Sequence, residues 1–193
     1  MANSYKLIAS FYVDLGVLKF KPHLERIDMK TLLLIRHAKS SWDDAGLSDF
    51  DRPLSERGKK DAPRMAERLH ERNIKIDAFV SSPAKRAKRT AEQFAKQYKK
   101  DDGDIIFRTE LYMAGDEAFN AVVEKLEDKY DCVAIFSHNP GITDFANALT
   151  EARIDNIPTS GIFAVSIDTK KWNRFKDAKK KFLFFDYPKA TVE

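Results

Sequence analysis

The chain alternates short, unbroken apolar runs with longer stretches in which apolar residues recur every three or four positions. That is the pattern of strands and helices taking turns. Thr31–Ile35 is the first strong run, continuous as a strand buried on both faces is. A polar loop of 17 residues, 38–54, follows it, and loops of that length in compact domains are often functional. Ser55 has the character of an N-cap. Ala62, Met65, Ala66 and Leu69 then predict a helix to about Glu71. Pro63 lies inside that pattern, so either the helix kinks there or residues 58–61 form a separate first turn. Ile76–Val80 predicts a second strand. Ser82 as N-cap with Pro83 behind it starts a helix running to about Lys99.

Ile105–Phe107 predicts a short strand, and Asp116 caps a helix with Phe119, Val122, Val123, Leu126 and Tyr130 inward. Cys132–Phe136 is again a continuous apolar run. Asn139 with Pro140 repeats the cap-and-proline device before a helix carrying Ile142, Phe145, Ala146 and Leu149. Ile162–Ile167 and Phe182–Phe185 predict the last strands, with Phe182, Phe184 and Phe185 in the core. The series predicts an α/β fold with a mostly parallel central sheet and helices on both faces. Residues 1–28 show no clear period and read as an N-terminal extension, with the domain spanning 29–193.

A hydrophobic content of 43% in 193 residues is ample for one core. The net charge of +4 gives a mild bias toward anionic partners but does not point to nucleic acid. The run from Lys170 to Lys181 reads as solvated surface. A single cysteine, Cys132, rules out an intrachain disulfide framework and a four-Cys zinc site, and makes a reducing cytoplasm the simplest home. No apolar run approaches the ~20 residues that cross a bilayer. The histidines at 23, 37, 70 and 138 fall in no metal-ligand spacing, so neither a metal nor another cofactor is expected.

In sheets of this kind, ligands bind beyond the carboxyl ends of the strands. There the chain places Arg36 and His37, then Ser81 and Ser82 with Arg86 in the following first helical turn, then His138 and Asn139. Helix N-termini add free N–H groups and a partial charge of roughly half an electron. Two Arg, two His and helix N-termini describe a pocket for a doubly charged anion, and phosphate is the natural candidate. Neutral His37 has a lone pair able to attack phosphorus in line, provided its other N–H finds an acceptor. Arg36 and Arg86 suit the equatorial oxygens, because the guanidinium fork grips phosphate in bidentate fashion. His138, if protonated, supplies a further charged donor. Arg52 either lines the pocket rim or pairs with Asp51.

Leu34-Ile35-Arg36-His37-Ala38, Arg52-Pro53-Leu54-Ser55-x-x-Gly58, Ser81-Ser82-Pro83-x-x-Arg86-Ala87-x-x-Thr90 and Ser137-His138-Asn139-Pro140 follow one another in that order. This set resembles the histidine phosphatase superfamily, and within it the SixA-type phosphohistidine phosphatases, from about Lys30 to Lys189. The resemblance implies a three-layer, phosphoglycerate-mutase-like fold, no metal, and a phosphorylated intermediate on His37. It implies phosphate binding by Arg36, Arg86 and His138, with Arg52, Ser82 and Asn139 as further candidates. Ala38 departs from the Gly usual in the broad superfamily. In that superfamily a carboxylate protonates the leaving oxygen; Glu110 is the candidate by position, and Asp43 and Asp44 are others. Imidazole, with an ordinary pKa of about 6.5, leaves far more readily than an alkoxide, so a phosphatase cutting P–N bonds needs little help from an acid. The chain has no large insertion to close over a small substrate. The expected substrate is therefore phosphohistidine on a protein, followed by a small phosphomonoester. A non-catalytic phosphate-binding module is the third reading, and neither nucleic acid nor membrane is an expected partner.

Overall fold

The computed structural model describes residues 29–190 and two short strands before them, β1 (Tyr5–Leu7) and β2 (Leu24–Arg26), which pair antiparallel. Apart from that pair, the extension read over 1–28 lies outside the described residues. The main sheet comprises β3 (Lys30–Arg36), β4 (Ala78–Ser81), β5 (Ile105–Phe107), β6 (Cys132–Ser137), β7 (Ile162–Ile167) and β8 (Lys180–Asp186). Their order across the sheet is β5-β4-β6-β3-β7-β8. The first four run parallel, while β7 is antiparallel to β3 and β8 to β7. The expected α/β architecture is present, with antiparallel strands confined to one edge.

Alternation along β3 sends successive side chains to opposite layers. Leu33 and Ile35 join Phe79, Ala134 and Phe136 under α1 (Glu56–Glu71) and α2 (Lys85–Gln97). Leu32 and Leu34 join Val80, Val133 and Ile135 under α3 (Asp116–Glu124) and α4 (Gly141–Leu149). Among the described residues no helix is long and apolar enough to cross a membrane.

Several local expectations are corrected. α1 runs unbroken through Pro63, whose ring faces solvent, and Ser55 Oγ caps it by accepting the Gly58 N–H at 3.2 Å. α2 begins at Lys85 rather than Pro83, because Ser82 Oγ accepts the Ala84 N–H at 3.3 Å in a preceding turn. α4 begins at Gly141 with Pro140 as its N-cap, since the Asn139 side chain is engaged elsewhere. β8 is an edge strand with a register shift opposite Ala164 and Val165. Phe182 is consequently 37% exposed, and Phe184 and Phe185 pack only partly, on opposite layers. The basic 170–181 run also carries core anchors, for Trp172 and Phe175 are fully buried. Cys132 is buried and unpaired at the start of β6.

Two glycines hold the loops beside the sheet's carboxyl end. A Cβ on Gly58 would stand 2.1 Å from the Lys39 carbonyl oxygen, and one on Gly141 would stand 1.8 Å from that of Ala114. The segments after β3 and after β5 are thereby drawn in against the N-terminal turns of α1 and α4.

Candidate active site

His37 directly follows the central strand, and its backbone is fixed from several sides. Its N–H donates to Ser137 O at 3.0 Å, and Ser160 N–H donates to Arg36 O at 3.1 Å. The next amide, Ala38 N–H, donates to Thr90 Oγ1 at 2.9 Å, while Thr90 itself donates to Arg86 O at 2.7 Å. Ala38 packs with Leu54 and Ala62, so the turn accepts the Cβ that sets this chain apart from the usual Gly. The ring of His37 is buried, with 8% exposed. Nδ1 lies 2.8 Å from the Ala38 carbonyl, which can only accept, so Nδ1 carries the proton. The lone pair therefore sits on Nε2, where it accepts the Arg86 Nε–H at 3.2 Å. Burial pushes the His37 pKa down to about 3; the charges of His138, Arg86 and Arg36 add to this against the upward pull of the Ala38 carbonyl. His37 is neutral at pH 7, with its lone pair directed into the pocket.

Around that lone pair stand the other strand-end residues. Arg36 Nη1 donates to Asn156 Oδ1 at 3.1 Å and to Ile157 O at 2.8 Å. Its Nε is buried without a partner among the described residues. Arg86 is 5% exposed. The His138 ring lies 5.0 Å from that of His37 and meets Tyr112 edge-on at 5.5 Å. His138 Nε2 and Ser82 Oγ are 2.9 Å apart. Ser82 Oγ already accepts the Ala84 N–H, and its hydroxyl proton suits His138 Nε2. The other ring nitrogen, Nδ1, is buried and unpartnered among the described residues. The sequence reading allowed for an imidazolium here. Instead burial, and then Arg86, hold the His138 pKa at about 3, with Asp49 pulling the other way. His138 is therefore a neutral ring beside His37.

Both imidazoles are expected to stay unprotonated through the range where histidine ordinarily titrates. An unfolded imidazole takes up its proton near 6.5, whereas these take theirs near 3. As pH falls through that window the unfolded chain binds more protons than the folded one, so stability is lost on acidification. NMR titration of the ring nitrogens checks this, and a midpoint near 6.5 for His37 in the folded protein would refute it.

Glu110 is not brought into this cluster. It is exposed on the short turn Thr109–Leu111, and Oε2 accepts from the Thr109 hydroxyl at 3.4 Å. A hydrogen bond from its own backbone amide keeps its carboxyl below the usual range, which suits an acceptor rather than a proton donor. Asp43 and Asp44 are taken up by local turns, accepting from Ser41 Oγ and from the Gly46 N–H. The loop delivers Asp49 instead. Asp49 Oδ2 accepts from Arg86 Nη2 at 2.9 Å and from the Tyr112 hydroxyl at 3.0 Å. Its backbone oxygen accepts from Arg86 Nη1, and Oδ1 accepts from Arg52 Nη1 at 2.9 Å. Arg52 thus pairs with Asp49 rather than Asp51. It is buried, donates also to Ser41 O at 3.1 Å and to Ser40 Oγ, and stacks on the Trp42 ring. Asn139 stands a layer behind, sharing with Arg36 the acceptors Asn156 Oδ1 and Ile157 O. Sequence reasoning missed Asp49 and Tyr112 as site residues. The one available signal was their position in loops beyond the strand ends.

The sequence pattern of the histidine phosphatase superfamily (branch 1) matches residues 32–112. An uncharacterised protein of Mycobacterium tuberculosis is 31% identical over 142 residues, covering 69% of this chain and 87% of that protein. The chain belongs to the histidine phosphatase superfamily. The superfamily match takes in His37, Arg52 and Arg86, while His138 lies beyond it on β6's far end. An uncharacterised chloroplastic protein of Arabidopsis thaliana is 32% identical over 138 residues, 65% of this chain; the chain spans 61% of that relative's length. Among solved structures, the one assigned as phosphohistidine phosphatase SixA from Agrobacterium tumefaciens superposes with a TM-score of 0.68. It is 25% identical, over 82% of this chain and 98% of that one. This histidine phosphatase chain thus shares both the fold and nearly the full extent of the SixA structure.

Proposed function

We propose that this chain is a phosphatase that passes the phosphoryl group through Nε2 of His37, without a metal ion, and that it takes phosphohistidine on a protein as substrate. The observation that carries the reading is the state of His37: neutral, with Nδ1–H pinned to the Ala38 carbonyl and the Nε2 lone pair facing Arg86. In the first step that lone pair attacks phosphorus. The P–N bond to the substrate imidazole breaks, and the departing nitrogen takes a proton from solvent. In the second step water attacks phosphorus, the bond to His37 breaks, and inorganic phosphate leaves with the water's proton passing to solvent. The equatorial oxygens are held by Arg86, Arg36 and His138, with Ser82 fixing the His138 ring and Asn139 backing Arg36. Two guanidiniums supply the positive charge that such a transition state needs. Among the described residues no group of three or more His, Cys, Asp or Glu side chains converges to bind a metal.

Support for a protein substrate comes from leaving-group chemistry and from the mouth of the pocket. Glu110 stands exposed and outside the His37 cluster, and an imidazole, unlike an alkoxide, leaves without an acid. Trp42, stacked on Arg52, and Met113, next in sequence to Tyr112, are 71% and 72% exposed and are apolar side chains available to a protein partner. The likeness to the SixA structure agrees with this reading. The test compares turnover of a phosphohistidine-bearing protein with that of simple phosphate esters. A preference for the protein is expected, lost selectively in Trp42→Ala and unaffected by a chelator. Preference for esters, together with loss of activity in Glu110→Gln, would establish the small-phosphomonoester reading instead.

A further inference from the structure

Arg86, on which the proposed reaction leans, is already holding an anion. Nη2 donates to the Asp49 carboxylate at 2.9 Å, and Nη1 to the Asp49 backbone oxygen. The same carboxylate takes hydrogen bonds from Arg52 and Tyr112, yet its side chain remains 44% exposed. One prong of the Arg86 fork thus holds a partly exposed carboxylate oxygen, and the other holds the backbone oxygen of the same residue. Burial works against its charge, but the hydrogen bonds from Arg86 and then Tyr112 keep its carboxyl below the ordinary range, so it is ionised at neutral pH.

We propose that Asp49 is a built-in competitor for the phosphoryl group: it occupies Arg86 when the pocket is empty, yields as a phosphoryl oxygen arrives, and returns as inorganic phosphate departs. This rests on the reading that the His37 pocket binds a phosphoryl group. The physical consequence follows from like charges at close range. A dianion beside an ionised carboxylate is held less tightly than the two arginines alone would hold it. Weakened ground-state and product binding leaves more of the interaction energy for the transition state, where the pocket is most fully engaged, and clears the site for the next turnover. Arg86 Nε–H, which caps the His37 lone pair in the empty pocket, is released in the same exchange as the fork turns to the phosphoryl oxygens.

The alternative is that Asp49 only orients Arg86, and the two roles differ in sign. If Asp49 competes, its removal tightens phosphate binding; if it only orients, removal loosens it. The experiment is calorimetric titration of the full chain with inorganic phosphate at neutral pH, for wild type, Asp49→Asn and Arg36→Ala. The isosteric Asp49→Asn keeps an acceptor for Arg86 while removing the charge. Its Kd for phosphate is expected to fall about 5- to 10-fold, the size of one close like charge at a half-exposed site, with the product-inhibition constant falling in parallel. An unchanged or higher Kd overturns the proposal. Should Asp49→Asn fail to fold, Asp49→Ala is read by the same criterion. Failure of the underlying reading looks different: wild type would then show no phosphate binding that Arg36→Ala removes.

Discussion

His37→Ala is expected to lower turnover by on the order of 10⁴-fold or more, as removal of a nucleophile does in other covalent enzymes, and to abolish phosphoryl labelling of the chain. Its ring carries a lone pair that is buried, oriented and unprotonated together: Nδ1–H is committed to Ala38 and Nε2 faces Arg86. Rapid quenching with labelled substrate, without acid because a P–N bond is acid-labile, locates the label. Labelling at any other residue, or full activity in the variant, would sink the mechanism. Because the neutral ring is held against its ordinary protonation, the variant is also expected to resist acid better than wild type between pH 6.5 and about 3.

Arg86→Lys is expected to reduce kcat/KM by about 10²- to 10³-fold, the usual cost of losing one preorganised transition-state donor, even though the charge is kept. Three of the Arg86 nitrogens point in fixed directions: Nε to His37, Nη1 to the Asp49 backbone and Nη2 to the Asp49 carboxylate. A lysine ammonium is a single point on a flexible stem and cannot satisfy all three. The change carries a second readout. Arg86 is one of the cations that lower the His37 pKa, so Arg86→Ala is expected to raise it from about 3 toward the ordinary value, visible in the ring's NMR titration. Kinetics near wild type for Arg86→Lys would mean that charge alone matters and that the fork does not.

The centre of this site was legible because it is built from strand ends. The apolar runs at 31–35 and 132–136 become β3 and β6, adjacent and parallel, so the residues following them must emerge side by side. Ser82 and Arg86 follow β4 on β6's other flank. What escaped was set by loops. Asp49 and Tyr112 are 63 residues apart in sequence and meet only because the 38–54 loop folds over α2, where Lys85 N–H donates to Phe50 O at 2.9 Å. Nothing in local periodicity encodes such a closure. Glu110 was placed by analogy of position, but the turn after β5 directs Tyr112, two residues later, toward His138 instead. The protonation of His138 was beyond reach for another reason. It depends on how much burial and how many guanidiniums surround the ring, and both are properties of the assembled pocket. Phe182 was read as core because three aromatics in four residues look buried, yet an edge strand with a register shift turns one of them outward.

Cys132, at the start of β6, is the only cysteine in the chain. It is buried, and burial pushes its thiol well above the range in which a thiolate forms. Oxidants attack thiolates rather than buried thiols, and the proposed nucleophile is an imidazole. Peroxide, which silences phosphatases that work through a cysteine, would therefore find no thiolate to attack in the proposed His37 chemistry, and that chemistry is expected to run on through an oxidative burst.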